Sequence, residues 1–330
     1  LFINTSYQFE LGWDGFGFKE KANFFYNNGY LFDINEQTST NHHYPHLGTY
    51  IWAFFWKNSF LNYEYIGRLF YNYLYVTSLF AVILTFKDIN NFNRIVIFVL
   101  IFFCTFDIGL NGYQDYLIFS ILTLFGSKLV DHHFAKNDYS FYLVYLFSGI
   151  LLPWIKPEGF IYSLFILIIF FLYELQLNNN NKKNIKFLFS ILINSSLLTR
   201  YLVNNVILDE NVLFQTNLSS FIDSELNIKT FFIKFYFILY YSLNSFFKYP
   251  IWIFNLLALV LSLYFFRNIK ILRVFLIFFT LNFLFIFLIY LTTSADIIWY
   301  LSASLDRLLL QTSGFYFVIF SLLNKKIIKF

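Results

Sequence analysis

Five short stretches hold the side chains that could move a proton or hold an anion. They are Glu10-Leu11-Gly12-Trp13-Asp14-Gly15, His42-His43-Tyr44-Pro45-His46-Leu47, Gly112-Tyr113-Gln114-Asp115, Lys156-Pro157-Glu158 and Asp306-Arg307. A carboxylate beside an apolar phase can accept a proton from a hydroxyl. Lysine and arginine can balance charge that builds on a phosphate oxygen. Asp14 stands at the start of a short helical pattern, where it either caps the helix or does chemistry. A capping box would carry Glu or Gln three residues on, and Gly17 is there instead. Asp115 at a hydrocarbon edge must be capped, paired or used. Lys156 and Glu158 either mark a helical hairpin turn or bind a ligand. Arg307 is placed to snorkel toward headgroups or to hold a phosphate. Among the histidines only His42 and His46 have i, i+4 spacing, and Pro45 disfavours helix across them, so metal binding is the least favoured reading. Contact with phosphate or sugar and an ordinary solvated loop are the other readings for His42, His43, Tyr44 and His46.

The elements that must position these residues are hydrophobic helices. Of 330 residues, 58% are hydrophobic and only 13% charged, and the mean hydropathy is +0.60, a composition that excludes an ordinary soluble globular domain. The fold class expected is all-α, a polytopic membrane helix bundle. Apolar runs near the length needed to cross a hydrocarbon core of about 30 Å occur at 69–86, 95–110, 116–129, 139–155, 160–173, 185–208, 251–266, 271–291 and 308–323, which makes nine expected spans. The chain reads as a single membrane domain, 1–330, with 1–68 an outer loop bearing interfacial helices and 69–330 the transmembrane bundle. One interfacial helix is expected around Phe18, Ala22, Phe25 and Tyr26, stopped by Asn27-Asn28-Gly29. A second is expected over Leu47 to Trp56, after Pro45. With 50 Phe and no Met, the sequence is expected to begin inside a longer protein, with at least one span before Leu1 and a C-terminus that is cut as well. The lone Cys104 allows neither a disulfide framework nor a cysteine metal site.

Sidedness follows from the Lys and Arg bias. One set of short loops holds 13 basic and 4 acidic residues, a net +9, leaving −5 of the total +4 for the other side. The basic loops are expected to be cytoplasmic, and all five chemistry-bearing stretches then lie outside. Asp131-His132-His133 falls in a short cytoplasmic loop and reads as solvated surface. The segment from Asp209 to Pro250 reads as a long mixed outer loop, and Asp306-Arg307 as the opening of the last span.

In order and position these stretches resemble the GT-C superfamily of integral-membrane glycosyltransferases, which includes protein O-mannosyltransferases and the lipid A aminoarabinose transferase. Trp13-Asp14-Gly15, followed by Lys21-Ala22 and Tyr30, resembles the acidic first outer loop of that superfamily. Tyr44-Pro45-His46-Leu47 resembles its Tyr-Pro-Pro-Leu segment, with His46 in place of the second proline. Gly67-Arg68-Leu69 resembles its Ala-Arg-Leu stretch, Gly112-Tyr113-Gln114-Asp115 its second outer acidic motif, Lys156-Pro157-Glu158 its outer lysine motif, and Asp306-Arg307-Leu308 its late arginine motif.

The resemblance implies transfer of a sugar from a polyprenyl-phosphate donor to an acceptor hydroxyl on a glycan, lipid or protein, at the outer (periplasmic) face of a bacterial inner membrane, with inversion. Asp14 would be the general base, and Asp115 a second catalytic carboxylate that orients the base or the acceptor. Lys156 and Arg307 would contact phosphate, while Glu158, His42, His43, Tyr44 and His46 would line the binding cavity. It implies no cofactor, leaves a divalent cation open, and calls for the lipid bilayer as partner and not for nucleic acid. An O-antigen ligase or polymerase would place its main loop late, in Asp209 to Pro250. A secondary transporter would place ionisable residues at mid-membrane depth and carry paired broken helices.

Overall fold

The computed structural model describes residues 11, 13–34, 45–60, 63–87, 89–105, 114–135, 139–177, 183–203, 228–265, 270–293 and 296–327. His42, His43, Tyr44, Gly112, Tyr113 and residues 204–227 lie outside them. Every regular element among the described residues is helical. In chain order the α-helices are α1 Trp13–Tyr26, α2 Leu47–Lys57, α3 Glu64–Thr85, α4 Asn91–Thr105, α5 Asp115–Ala135, α6 Tyr139–Leu151, α7 Pro157–Leu177, α8 Lys183–Leu202, α9 Ile228–Lys248, α10 Pro250–Phe265, α11 Lys270–Thr292, α12 Ile297–Phe317 and α13 Ile319–Ile327.

Both short helices of the first loop are present where the sequence puts them. α1 closes on a Schellman turn. Gly29 N donates to Phe24 O at 3.0 Å and Asn28 N to Phe25 O at 3.1 Å. The residue that takes the left-handed conformation is Asn28, at φ 63°, rather than the glycine after it. α2 begins directly after Pro45-His46.

Among the described residues, three helical stretches are long and apolar enough to cross a membrane, Glu64–Thr85, Pro157–Glu174 and Ile271–Thr292. A fourth crossing is available if α9 and α10, which meet at 104°, form one broken span. α4 and the 140–154 stretch are apolar but shorter. α9 and α10 turn apolar side chains outward at helical spacing, Phe232, Tyr236, Tyr240, Leu243 and Phe247 on the first, Ile253, Leu257, Val260 and Tyr264 on the second. Contiguous exposed apolar faces of this kind fit lipid rather than water. The helix Ile228–Lys248 also replaces the second half of the expected 209–250 loop. Lys229, Lys234 and Lys248 interrupt its hydropathy and hide it from a span search. Lys234 is accommodated by donating to the carbonyls of Leu291 at 3.1 Å and Thr293 at 2.8 Å, at the C-terminal end of α11, where a cation suits the helix dipole.

α5 is the axis of the bundle and packs most extensively on α12 and α3. Two glycines permit that approach. A Cβ on Gly314 of α12 would lie 2.1 Å from Thr123 Oγ1, and one on Gly126 of α5 would lie 2.7 Å from the Phe315 ring. Small residues at a helix crossing bring backbones close where apolar surroundings give little drive of their own. Phe315 then stacks between Phe125, at 6.2 Å, and Phe278, at 4.4 Å. α1 lies on α2, and α2 on α3.

Two readings need correction. Asp306 and Arg307 do not open a span at residue 308. α12 starts at Ile297, so they sit midway along it. Asp131-His132-His133 is not a solvated loop either but belongs to the last turns of α5. His132 is buried and stacks 4.6 Å from Phe141, while Asp131 pairs with Lys87 at 3.4 Å and Lys128 at 3.7 Å.

Candidate functional site: a buried carboxylate and cation cluster

Asp14, Asp115, Glu158, Lys156 and Arg307, drawn from four helices and one helix-helix turn, meet in one place. All three carboxylates occupy the first turn of a helix, Asp14 in α1, Asp115 in α5 and Glu158 in α7. Unpaired backbone amides and the positive dipole end favour negative charge there. Lys156 sits in the tight turn before α7, whose fixed first residue is Pro157. Leu152 O lies so close to Gly159 that a Cβ there would come within 1.9 Å of it. The hairpin is therefore rigid where it delivers the lysine.

Asp115 is the hub, and its side chain is wholly buried. Its Oδ1 accepts from Lys156 Nζ at 2.9 Å and from Gln311 Nε2 at 2.5 Å, and its Oδ2 accepts from Arg307 Nε at 3.2 Å. Burial works to raise the Asp115 carboxyl. The adjacent Lys156 ammonium and Arg307 guanidinium, helped by the Gln311 amide, outweigh it and hold the group well below the ordinary carboxylate range. Arg307 continues the chain of contacts outward, since its Nη1 donates to Asp14 Oδ2 at 2.7 Å. Lys156 also lies 3.9 Å from Glu158 Oε1. Asp14 is the most exposed of the set, at 26% of its side chain, against 17% for Arg307 and 3% for Lys156.

Exposure grades the cluster from a closed interior to an accessible edge. Asp115 and Lys156 are built in, and Asp14 is where a ligand would arrive. Among the described residues, three carboxylates face Lys156 and Arg307, so an incoming anion competes with a carboxylate for a cation. The weakest-held partner is Asp14, whose one contact among the described residues is to Arg307 and whose exposure is the greatest.

Gln311 bears no charge and its residue type gives no signal in the sequence. Its signal is positional, for it follows Arg307 by four residues and shares that face of α12. Asp306, one residue before Arg307, points elsewhere. It accepts from Ser245 Oγ at 2.5 Å and Tyr249 Oη at 2.9 Å and lies 3.4 Å from Lys248 Nζ. These contacts latch the elbow between α9 and α10 onto α12 beside the site. Lys21, quoted above only as part of a pattern, is fully buried on α1.

His46 does not join the cluster. It lies buried at the start of α2, its ring 6.1 Å from Phe25 near the opposite end of α1 from Asp14. There it lines a separate cavity together with Asn28, Tyr30, Tyr50 and Trp154. Arg68 is likewise occupied elsewhere, 3.2 Å from Glu64 and 5.5 Å above the Trp52 ring, fastening α3 to α2. His42, His43 and Tyr44 fall outside the described residues. Among the described residues no group of three His, Cys, Asp or Glu side chains has the geometry of a metal site. No protein-family model, no curated protein and no solved structure matches this chain.

Proposed function

We propose that this protein is an integral-membrane glycosyltransferase of GT-C type. It moves a sugar from a polyprenyl-phosphate donor to an acceptor hydroxyl at the outer face of the bacterial inner membrane, within a bundle of about nine crossings. The observation that carries the reading is the meeting of Asp14, Asp115, Lys156 and Arg307, which are scattered from one end of the sequence to the other yet are joined by contacts of 2.7 to 3.2 Å. A set of this kind contains what such a transfer needs, a carboxylate at an accessible edge and fixed cations behind it.

The contacts supply a sequence of events. The donor phosphate competes for Arg307 and draws the guanidinium away from Asp14. Asp14, released, accepts the proton of the acceptor hydroxyl as its oxygen attacks the anomeric carbon. The bond from that carbon to the phosphate oxygen breaks, and Arg307 and Lys156 stabilise the charge left on the departing phosphate. Asp115 does not leave Lys156 or Arg307 and acts by holding both in place. A single displacement inverts the anomeric centre.

The test is reconstitution of the full chain in proteoliposomes with polyprenyl-phosphate mannose, glucose and arabinose, reading the release of polyprenyl phosphate. Asp14→Asn should lower release by about 10²- to 10⁴-fold, the usual contribution of a positioned general base, while the protein elutes and unfolds as the parent does. Undiminished release from the Asn variant, or no release from the parent with any donor, overturns the reading.

One observation favours a second reading, secondary transport. The ion cluster includes Arg307 midway along α12, and α9 with α10 forms a helix pair broken at 104°, both features of transport pathways. Proton- or sodium-driven uptake into the same proteoliposomes, lost on Arg307→Gln, would support it over transfer.

A further inference from the structure

The open pocket at the far end of α1 has a volume of about 840 Å³, a size typical of small-molecule sites, which run to roughly 300–1,000 Å³. Its walls are Phe25 from α1, Tyr30 from the following turn, Tyr50 from α2 and Trp154 from the hairpin that carries Lys156. Asn28 and His46 add an amide and an imidazole. Among the described residues, none that lines it is an acid, a lysine or an arginine, and the Lys57 ammonium reaches it only through Asn28 Oδ1. The rings are held rather than loose. Trp154 Nε1 donates to Ser196 Oγ at 3.0 Å, and the Arg200 guanidinium lies 5.7 Å from the Trp154 ring. Phe25 meets Tyr50 edge-on at 5.7 Å. Tyr30 and Tyr50 remain 74% and 56% exposed at the rim.

The reacting centre is elsewhere. Asp14 and Phe25 stand eleven residues apart on one helix, which at 1.5 Å per residue is about 16 Å. The cavity therefore receives a part of a substrate remote from the bond being made. We propose that it is a carbohydrate subsite for the distal, neutral pyranose units of an oligosaccharide acceptor. The choice of ligand follows from the lining. A pyranose has an apolar C–H face, whose positive edge suits the negative face of an aromatic ring, and a hydroxyl rim that an amide and an imidazole can hydrogen-bond. The described lining side chains carry no formal charge, and the nearest cations are engaged with the walls, Lys57 on Asn28 Oδ1 and Arg200 on the Trp154 ring, so the phosphate is assigned to Lys156 and Arg307 and a neutral ligand to this pocket. At about 5 Å per ring, the helical distance of about 16 Å sets the acceptor at about three to four sugars. This assignment rests on the glycosyltransferase reading.

The experiment uses the full chain in lipid nanodiscs and saturation-transfer NMR with four probes, tetrasaccharides of glucose, mannose, galactose and N-acetylglucosamine. At least one should bind at millimolar concentration or below. Tyr50→Ala and the rim variant Tyr30→Ala, which disturbs no buried contact, should each weaken that binding about tenfold while polyprenyl-phosphate binding is unchanged. Absence of binding by all four probes overturns the assignment, as does binding that neither variant weakens. Loss of polyprenyl-phosphate binding in these variants also overturns it and makes the cavity the seat of the lipid chain. Sugar binding without donor turnover would sink the transfer reading alone, and turnover without sugar binding would sink this subsite alone.

Discussion

Removing one member of the Asp115–Lys156 pair should destabilise the protein far more than removing both. The two groups lie 2.9 Å apart with side-chain exposures of 0% and 3%, so neither can turn to water when its partner is lost. At an effective dielectric of about 20, their attraction is on the order of 6 kcal/mol. Desolvation offsets most of this, but the offset has already been incurred in the folded protein. Taking one partner away therefore costs about 3–5 kcal/mol, whereas replacing both with apolar side chains of similar volume is close to neutral. Asp115→Leu leaves Lys156 with only Glu158, at 3.9 Å, and strands Arg307 on Asp14. Lys156→Met leaves Asp115 with Arg307 and Gln311, so it should be the milder single change. The assay is reversible unfolding in mixed detergent and dodecyl sulfate micelles followed by tryptophan fluorescence, on the parent, both single variants and the double variant. The double should be more stable than either single, and more stable than their sum predicts by about 6 kcal/mol or more, since each single costs about 3–5 kcal/mol and the double is close to neutral. Additivity within about 0.5 kcal/mol, as for independent sites, would refute the claim that this pair is the buried anchor of the cluster.

Arg307→Lys should fail despite keeping the charge, because a single ammonium cannot reproduce the fork that reaches Asp14 through Nη1 and Asp115 through Nε. Donor turnover should fall at least tenfold, and parent-level turnover would show that the bridge is dispensable. Gly314→Ala should cost about 1–3 kcal/mol by overpacking, since the new methyl meets Thr123 and Phe119 within 2.1 to 2.8 Å. The same unfolding assay measures it, and a neutral result would mean that α5 and α12 are free to separate. Acid should act through Asp115. Its folded carboxyl lies below the unfolded value near 3.9, so its contribution is fully present above that pH and is lost as pH falls toward the depressed folded value. Unfolding followed from pH 7 to pH 3 should show a decline beginning below about pH 4 that Asp115→Asn lessens. An identical acid decline in both proteins would assign the loss to other carboxylates.

What the sequence exposes here depends on the scale of the signal. Helical character and the two short helices of the first loop are written in local periodicity and in stop residues such as Asn28 and Gly29, and they appear where that pattern puts them. Span counting is less secure, because hydropathy measures only composition. α5 is shorter on apolar residues than α3 or α7, being laced with Ser120, Thr123, Ser127 and Lys128, yet it is the most central helix. Its polar side chains point inward, Ser120 and Ser127 returning hydrogen bonds to its own backbone. α9 escapes a hydropathy window for the converse reason. Lys234 satisfies carbonyls at the end of α11 and Lys248 a carboxylate on α12, a cancellation that no single-chain window can register.

The site divides in the same way. Asp14, Asp115, Lys156 and Arg307 declared themselves because a charge beside an apolar run is costly unless something answers it. Which charge answers which is a property of the fold alone. Asp306 and Arg307 are neighbours in sequence, but helical geometry turns them roughly 100° apart, so one secures the α9–α10 elbow while the other faces Asp115. Gln311 carries no charge and so no warning, although its 2.5 Å hydrogen bond to Asp115 is shorter than those from Lys156 and Arg307. A residue that completes the coordination of a buried charge without bearing one itself is visible only once the helix is known to continue through it. The error at Arg307 and the omission of Gln311 thus have one cause. Beginning the last helix at residue 308 placed the arginine at an end, where snorkelling could explain it, and removed the turn on which Gln311 becomes its neighbour. With α12 running from Ile297, Arg307 is internal, cannot escape along its own stem to solvent, and must be met by the carboxylates of α1 and α5.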